Sequence, residues 1–173
     1  MNASDLSPAP GVIRPATPDD LAAINAIYNY YVAHSTCVWT TQPWSAAERL
    51  AWFQAHGAAM PVLVAELDGR VVGWSALGSF RDAYTAAGTL EDSIYVHRDF
   101  HRQRIGSQLL QALIEAARRL GLRSLLANIS ADQTPSLRLH ERFGFQPVAH
   151  LREVGQKFNQ RFDAIYLQLC LAA

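Results

Sequence analysis

Apolar and polar positions alternate along this chain in two distinct periods, and the periods outline its elements. "GVIRPA" reads as a short strand ending at Pro15. "TPDDLAAINAIYNYYVAHS" follows as a helix, with Thr17 as N-cap, Pro18 in the first position and Asp19 and Asp20 in the first turn. Leu21, Ile24, Ile27, Tyr28 and Tyr31 give it an apolar face. "PWSAAERLAWFQAHG" predicts a second helix, opened by a Ser45/Glu48 capping box and stopped near Gly57. "PVLVAELDGRVVGWSALGSF" is a β-hairpin about Asp68-Gly69. "RDAYTAAG" reads as a loop and "TLEDSIYVH" as the next strand.

A long amphipathic helix runs from about Ile105 to Leu120, with Leu109, Leu110, Leu113, Ile114 and Ala117 inward and Gly121 as its stop. "LRSLLANIS" is a buried strand and "TPSLRLHERFG" a short helix. "FQPVAHLREVG" and "RFDAIYLQLCLA" are two closing strands. The resulting order, β-α-α-β-β-β-α-β-α-β-β, predicts an α/β (α+β) domain with a mixed sheet. One β-α-β crossover joins "SIYV" to "SLLANIS", so those strands should be parallel.

Composition narrows the function classes. The chain has 173 residues, half of them hydrophobic, which suits one domain over 12–173 behind a short flexible tail over 1–11. Formal net charge is zero, which speaks against nucleic acid or an anionic membrane as the main partner. No apolar run reaches the length of a membrane span. Cys37 and Cys170 make no disulfide framework, and the setting expected is cytoplasmic.

The candidate chemistry centres on "VHRDFHRQRIGSQLLQALIEAARRLG". His101, Arg102, Gln103, Arg104, Ile105, Gly106 and Ser107 sit where the long helix begins. Helix N-termini leave N–H groups unpaired and favour anions. This segment therefore reads either as a phosphate cradle or as a solvated basic turn. His97 and His101 are spaced four apart, but no glutamate completes a metal-binding helix pattern, and no metal is expected.

"TLEDSIYVH", "SLRLHERFGF" and "GQKFNQRFD", in that order and spacing, resemble the GNAT superfamily of acyl-CoA N-acyltransferases, closest to its phosphinothricin and methionine-sulfone acetyltransferase branch. The resemblance runs from Ile13 to Leu169. It implies a mostly antiparallel seven-stranded sheet, helices on both faces, and a splayed central parallel pair. Acetyl-CoA would lie in the splay, with its pantetheine arm against Ile94, Tyr95 and Val96. The family's loop, Gln/Arg-x-x-Gly-x-Gly/Ala, aligns here with His101 at its first position, Arg104 in place of the first glycine, and Gly106 as the second.

The resemblance also implies a direct sequential transfer in which Glu91 is the base. His140 stands where many relatives carry a tyrosine that protonates the CoA sulfur; the alternative is that it only orients CoA. Ser136 carries over as a cofactor contact, whereas Gln133 replaces a shorter asparagine. Asp92 points to the opposite strand face and serves as the control residue. Cys37 reads as a core residue rather than a nucleophile.

Trp39, Arg81, Tyr84 and Lys157 are the implied acceptor contacts. The middle loop lacks a second arginine that close relatives carry. The expectation is therefore an amino-acid-like primary amine rather than phosphinothricin itself. A homodimer is implied by resemblance. The competing readings are an acyl-CoA-binding sensory module and an acetylase of protein N-termini.

Overall fold

A computed structural model describes residues 11–171. The tail expected over 1–11 lies outside the described residues, Gly11 apart. The strands are β1 (Val12–Pro15), β2 (Val62–Leu67), β3 (Arg70–Ser79), β4 (Thr89–Val96), β5 (Ser124–Ser130), β6 (Gln146–Lys157) and β7 (Gln160–Cys170). The helices are α1 (Leu21–His34), α2 (Ala46–Ala55), α3 (Asp82–Ala86), α4 (Ile105–Arg119) and α5 (Thr134–Arg142). The strands form one sheet in the order β1-β2-β3-β4-β5-β7-β6. Among the described strands only β4 and β5 are parallel, as the crossover through α4 requires.

Strand alternation sends side chains to two layers. Val62, Val64, Trp74 and Ala76 pack with Ile24 and Ile27 of α1. On the other face, Leu63, Leu77 and Leu90 pack with Leu110, Leu113 and Ile114 of α4. Leu109, Leu110, Leu113 and Ala117 are fully buried, so the predicted stripe of α4 is its core face.

The hydrogen-bonded ends explain the element boundaries. Ser45 accepts from the Glu48 amide at 3.2 Å, and the Glu48 carboxylate accepts from the Ser45 amide at 2.7 Å. Asp68 and Gly69 both take positive φ, 50° and 73°, as a two-residue hairpin turn demands. Ahead of α1, Asp20 organises the entry: its carboxylate accepts from the Thr17 amide and from both terminal nitrogens of Arg14.

The segment expected to be a loop, "RDAYTAAG", instead forms α3, a single turn of helix. Asp82, Ala83 and Thr85 tolerate helix, and Gly88 with φ 81° ends it. The expected first helix begins as a short 3-10 turn over Pro18–Asp20 before α1 proper. The last hairpin turns on Phe158 and Asn159, whose φ values of 51° and 60° reproduce the twist of Asp68-Gly69 without glycine.

Arg49 of α2 is 1 % exposed and, among the described residues, has no carboxylate partner; its Nε donates to Asn25 Oδ1 at 3.2 Å. Its guanidinium lies 4.6 Å from the Tyr28 ring centroid, 4.4 Å from Trp44, 4.6 Å from Trp52 and 5.5 Å from Trp74. Ring quadrupoles rather than a counter-ion receive this cation. Burial still pushes its pKa down to about 10.

Candidate active site

The site grows from a break in the sheet. β4 pairs with β5 only at Thr89–Ser124, Leu90–Leu125 and Glu91–Leu126. Beyond Glu91 the two strands diverge, while β4 stays paired with β3 as far as Val96. The His97 amide donates to Val72 of β3, so by alternation the backbone groups of Ile94 and Val96 face the gap. The Val96 carbonyl already accepts from the Tyr31 hydroxyl; strand groups beyond the last β4–β5 pair, here those of Ile94, suit an amide-bearing ligand.

A cavity of about 630 Å³ fills the gap and reaches the start of α4. Ile94, Tyr95, Val96, His101, Arg102, Arg104, Ile105, Gly106, Ser107 and Ser136 all line it. Gln103 is half-buried and does not. The first helical hydrogen bond of α4 runs from the Gln108 amide to Arg104. The amides of Ile105, Gly106 and Ser107 thus emerge from the helix end without helical partners. A Cβ on Gly106 would stand 3.4 Å from Leu139 and 3.7 Å from Val96, on the cavity wall. Residues and cavity fit the diphosphate and pantetheine of a coenzyme A thioester.

Arg102 and Arg104 both take φ 62°. This explains the family glycine at the second of these positions: the loop needs a left-handed residue there. Arginine accepts it at a cost of about 1 kcal/mol. Its return is a guanidinium on the cavity rim, where α5 adds Arg138 and Arg142. The last two were not singled out from the sequence. Their i, i+4 spacing on a helix was the available signal.

His101 behaves differently from its expected role at the head of the loop. Its Nε2 is 2.7 Å from the Tyr31 hydroxyl and 3.2 Å from the Val96 carbonyl oxygen, and Tyr31 also donates to Val96. The side chain braces α1 against β4, although it still forms part of the cavity wall. Gln133 likewise donates to Thr36 at 3.0 Å, tying the α1–α2 loop to the start of α5.

A second cavity of about 220 Å³ adjoins the first, sharing Cys37, Ile94, Tyr95, Gln133 and Ser136. Glu91, His140 and Trp39 line it, together with Asp92, Asn128 and Ser130. Burial, and secondarily the charge of Asp92, pushes Glu91 up to about 7. A carboxyl group with that value accepts protons near neutral pH. Glu91 and Asp92 leave β4 on opposite faces, yet the open gap lets both reach this cavity.

Asp92 is therefore not the inert control expected of it. It is buried, and its Oδ1 lies 3.3 Å from Nε2 of His140. The other ring nitrogen, Nδ1, donates to the Ser136 carbonyl at 2.8 Å. Burial alone would lower the pKa of His140, but Asp92 and the Ser136 carbonyl outweigh it and raise the value. Sequence reading missed this pair because it joins positions far apart along the chain.

Lys157 is also displaced from its expected role. It is 4 % exposed. Its Nζ donates to the carbonyls of Ser35 at 2.6 Å, Val38 at 2.6 Å and Tyr31 at 3.3 Å. All three ammonium protons are thus engaged by backbone, leaving none for an acceptor's anion. Arg81 and Tyr84 are exposed on and before α3, and neither lines the small cavity. Trp39 does line it, braced edge-on by Phe162 at 5.6 Å. Phe162 in turn covers Gly155, where a Cβ would fall 2.2 Å from its ring.

Cys37 lies in the seam between the cavities, and burial raises its pKa. That keeps it a thiol rather than a thiolate nucleophile. Among the described residues, no group of three or more His, Cys, Asp or Glu side chains gathers to hold a metal ion.

Comparison with known proteins agrees with this geometry. The family model for the acetyltransferase (GNAT) family matches residues 24–145. An L-methionine sulfoximine/L-methionine sulfone acetyltransferase of Pseudomonas paraeruginosa is 41% identical, the match covering 92% of this chain and 94% of that protein. The solved structure of a phosphinothricin acetyltransferase from Sinorhizobium meliloti, in complex with acetyl-CoA, is 29% identical with a TM-score of 0.90, covering 93% and 88% of the two chains. A ribosomal-protein-alanine N-acetyltransferase from Brucella melitensis is 37% identical with a TM-score of 0.89, covering 92% and 99%. With its splayed parallel pair, its cavity at the head of α4 and this kinship over most of its length, the chain belongs to the acetyltransferase (GNAT) family of N-acetyltransferases.

Proposed function

We propose that this protein transfers an acetyl group from acetyl-CoA to the primary amine of a small amino-acid-like substrate of the methionine sulfone or sulfoximine type. The observation that carries the reading is Glu91, pushed up to about 7, in a small cavity that opens onto the arginine-rimmed one. Acetyl-CoA supplies an activated thioester carbon. Ile94 and the amides at the head of α4 orient it, and Arg102, Arg104, Arg138 and Arg142 offset its phosphate charge.

The chain's own groups then manage protons. Glu91 accepts one from the amine as the carbon–nitrogen bond forms, and His140 supplies one to sulfur as the carbon–sulfur bond breaks. The transfer is direct, with no covalent enzyme intermediate. The small cavity has no arginine or lysine among its lining residues. It therefore suits an acceptor with a neutral polar tip better than one with a second anion, and Trp39 offers an aromatic wall to sulfonyl and methyl groups.

The same reading includes a homodimer and a cytoplasmic setting. β6 is the sheet's edge and exposes Val148, Leu151 and Val154, which is the kind of edge a second copy covers. Both cysteines are free thiols, as a reducing compartment favours. Among the described residues, no helix is long and apolar enough to cross a membrane.

The test is thiol release from acetyl-CoA with a panel of amino acids, methionine sulfone, phosphinothricin and an alanyl peptide. Turnover should be greatest with the sulfone. Glu91→Gln should lower kcat by about 10²–10⁴ and leave acetyl-CoA binding nearly unchanged. Binding without turnover on any amine would leave only an acyl-CoA-binding module.

A further inference from the structure

The pair formed by Asp92 and His140 has a chemistry that follows from its hydrogen bonds. The Ser136 carbonyl can only accept, so Nδ1 of His140 carries a proton. A carboxylate also only accepts, so Nε2, facing Asp92 Oδ1, must carry a second proton whenever Asp92 is ionised. A neutral imidazole would set its lone pair against that carboxylate. The geometry thus keeps one proton between Asp92 and Nε2, on the wall of the small cavity. The second oxygen of Asp92 is buried without a partner among the described residues, so the side chain's main attachment there is the histidine.

We infer that Asp92 is a positioning residue for acetyl transfer, holding the transferable proton on Nε2 of His140. The inference rests on the acetyl-transfer reading. Asp92 itself touches neither acceptor nor sulfur; it acts through the ring, whose Nε2 proton leaves its long 3.3 Å contact with Oδ1 when it passes to sulfur.

The other titratable groups lining the same cavity are Glu91 and Tyr95 from β4, Tyr28 from α1 and Cys37 from the α1–α2 loop. Burial raises Tyr28, Cys37 and Tyr95, so they stay neutral through the working range. Phe145 closes the remaining side of the ring edge-on at 5.0 Å. Two titrations therefore shape the rate: Glu91 on the acid limb and His140 on the alkaline limb. The two come from opposite faces of β4 and meet only through the gap in the sheet.

The experiment is nitrogen NMR of the protein with 15N-labelled histidine rings, the His140 signals being assigned by their loss in His140→Asn. At pH 7.5 the wild-type ring should show the doubly protonated pattern. Asp92→Asn, whose amide can donate to Nε2, should convert it to the neutral ring protonated on Nδ1. In parallel, the alkaline limb of kcat should move down by at least about one pH unit in Asp92→Asn, about a tenfold loss at pH 8.5. KM for acetyl-CoA should stay within about twofold, and Asp92→Glu should recover part of the limb.

A neutral His140 in the wild type at pH 7.5 overturns the inference, whether or not the Asp92 variants fold. So does an Asp92→Asn enzyme whose ring state and alkaline limb are unmoved. A doubly protonated ring in a wild-type protein that acetylates no amine would instead sink the acetyl-transfer reading and the role of Asp92 in it, leaving only a structural ion pair.

Discussion

The raised pKa of Glu91 makes a claim about stability as well as rate. Glu91→Gln keeps the shape of the side chain and removes its charge. Burial first, and then the neighbouring Asp92, lifts the carboxyl from its ordinary 4.5 to about 7. Each pKa unit is worth about 1.4 kcal/mol. Ionising Glu91 in the folded protein therefore costs about 3 kcal/mol, or about 2 after allowing for its partial exposure.

Because the folded value is the higher one, the sign is fixed. The folded protein keeps this proton when the unfolded chain has already lost it, so stability falls as pH rises from about 4.5 and levels off just above 7. Glutamine carries no such cost. Glu91→Gln should match the wild type near pH 4.5 and exceed it by about 2–3 kcal/mol at pH 8, in the same variant expected to lose most of its activity. His140, whose folded value is also raised, removes stability as pH climbs past the usual histidine range. It does so in both proteins and cancels in the difference. Urea unfolding at four pH values between 4.5 and 8, with a common slope, reads this directly. A difference that is flat with pH, or that grows as pH falls, would refute the burial argument.

Further outcomes follow from other residues. Lys157→Met should cost about 2–4 kcal/mol, because it strands three carbonyls that now accept from one ammonium; a urea midpoint within error of the wild type would contradict it. Arg49→Lys keeps the charge but loses the flat guanidinium stacked among four rings, and should lose about 2 kcal/mol in the same assay. Arg104→Gly should leave stability equal or up to about 1 kcal/mol higher, since glycine adopts the left-handed backbone freely. Its acetyl-CoA Kd, by calorimetry, should weaken by less than about tenfold, the loss of one rim cation with the backbone donors intact.

Local signals in the sequence marked most elements correctly. The Ser45/Glu48 cap, the Asp68-Gly69 turn and the apolar stripe of α4 each act within a few residues, and each appears where expected. Family resemblance, rather than any single spacing, pointed to the gap after Glu91. What was illegible depends on partners distant in sequence. Lys157 looks like a turn residue until the end of α1 is brought against it. Asp92 looks idle until α5 places His140 beside it. Arg104 looks like a lost glycine, yet the chain retains the glycine's backbone and adds a side chain. α3 escaped notice because a single turn of helix has no periodicity to display.

Lys157 has one more consequence, a mechanical one. The tip of the β6–β7 hairpin is anchored, through a single ammonium, to the end of α1 and to the segment carrying Cys37 and Val38. β6 is at the same time the outermost strand. The tip cannot travel without breaking three charge-assisted bonds or pulling the wall of the small cavity with it. A body that docks along this edge therefore has a short lever onto the cavity proposed to hold the amine.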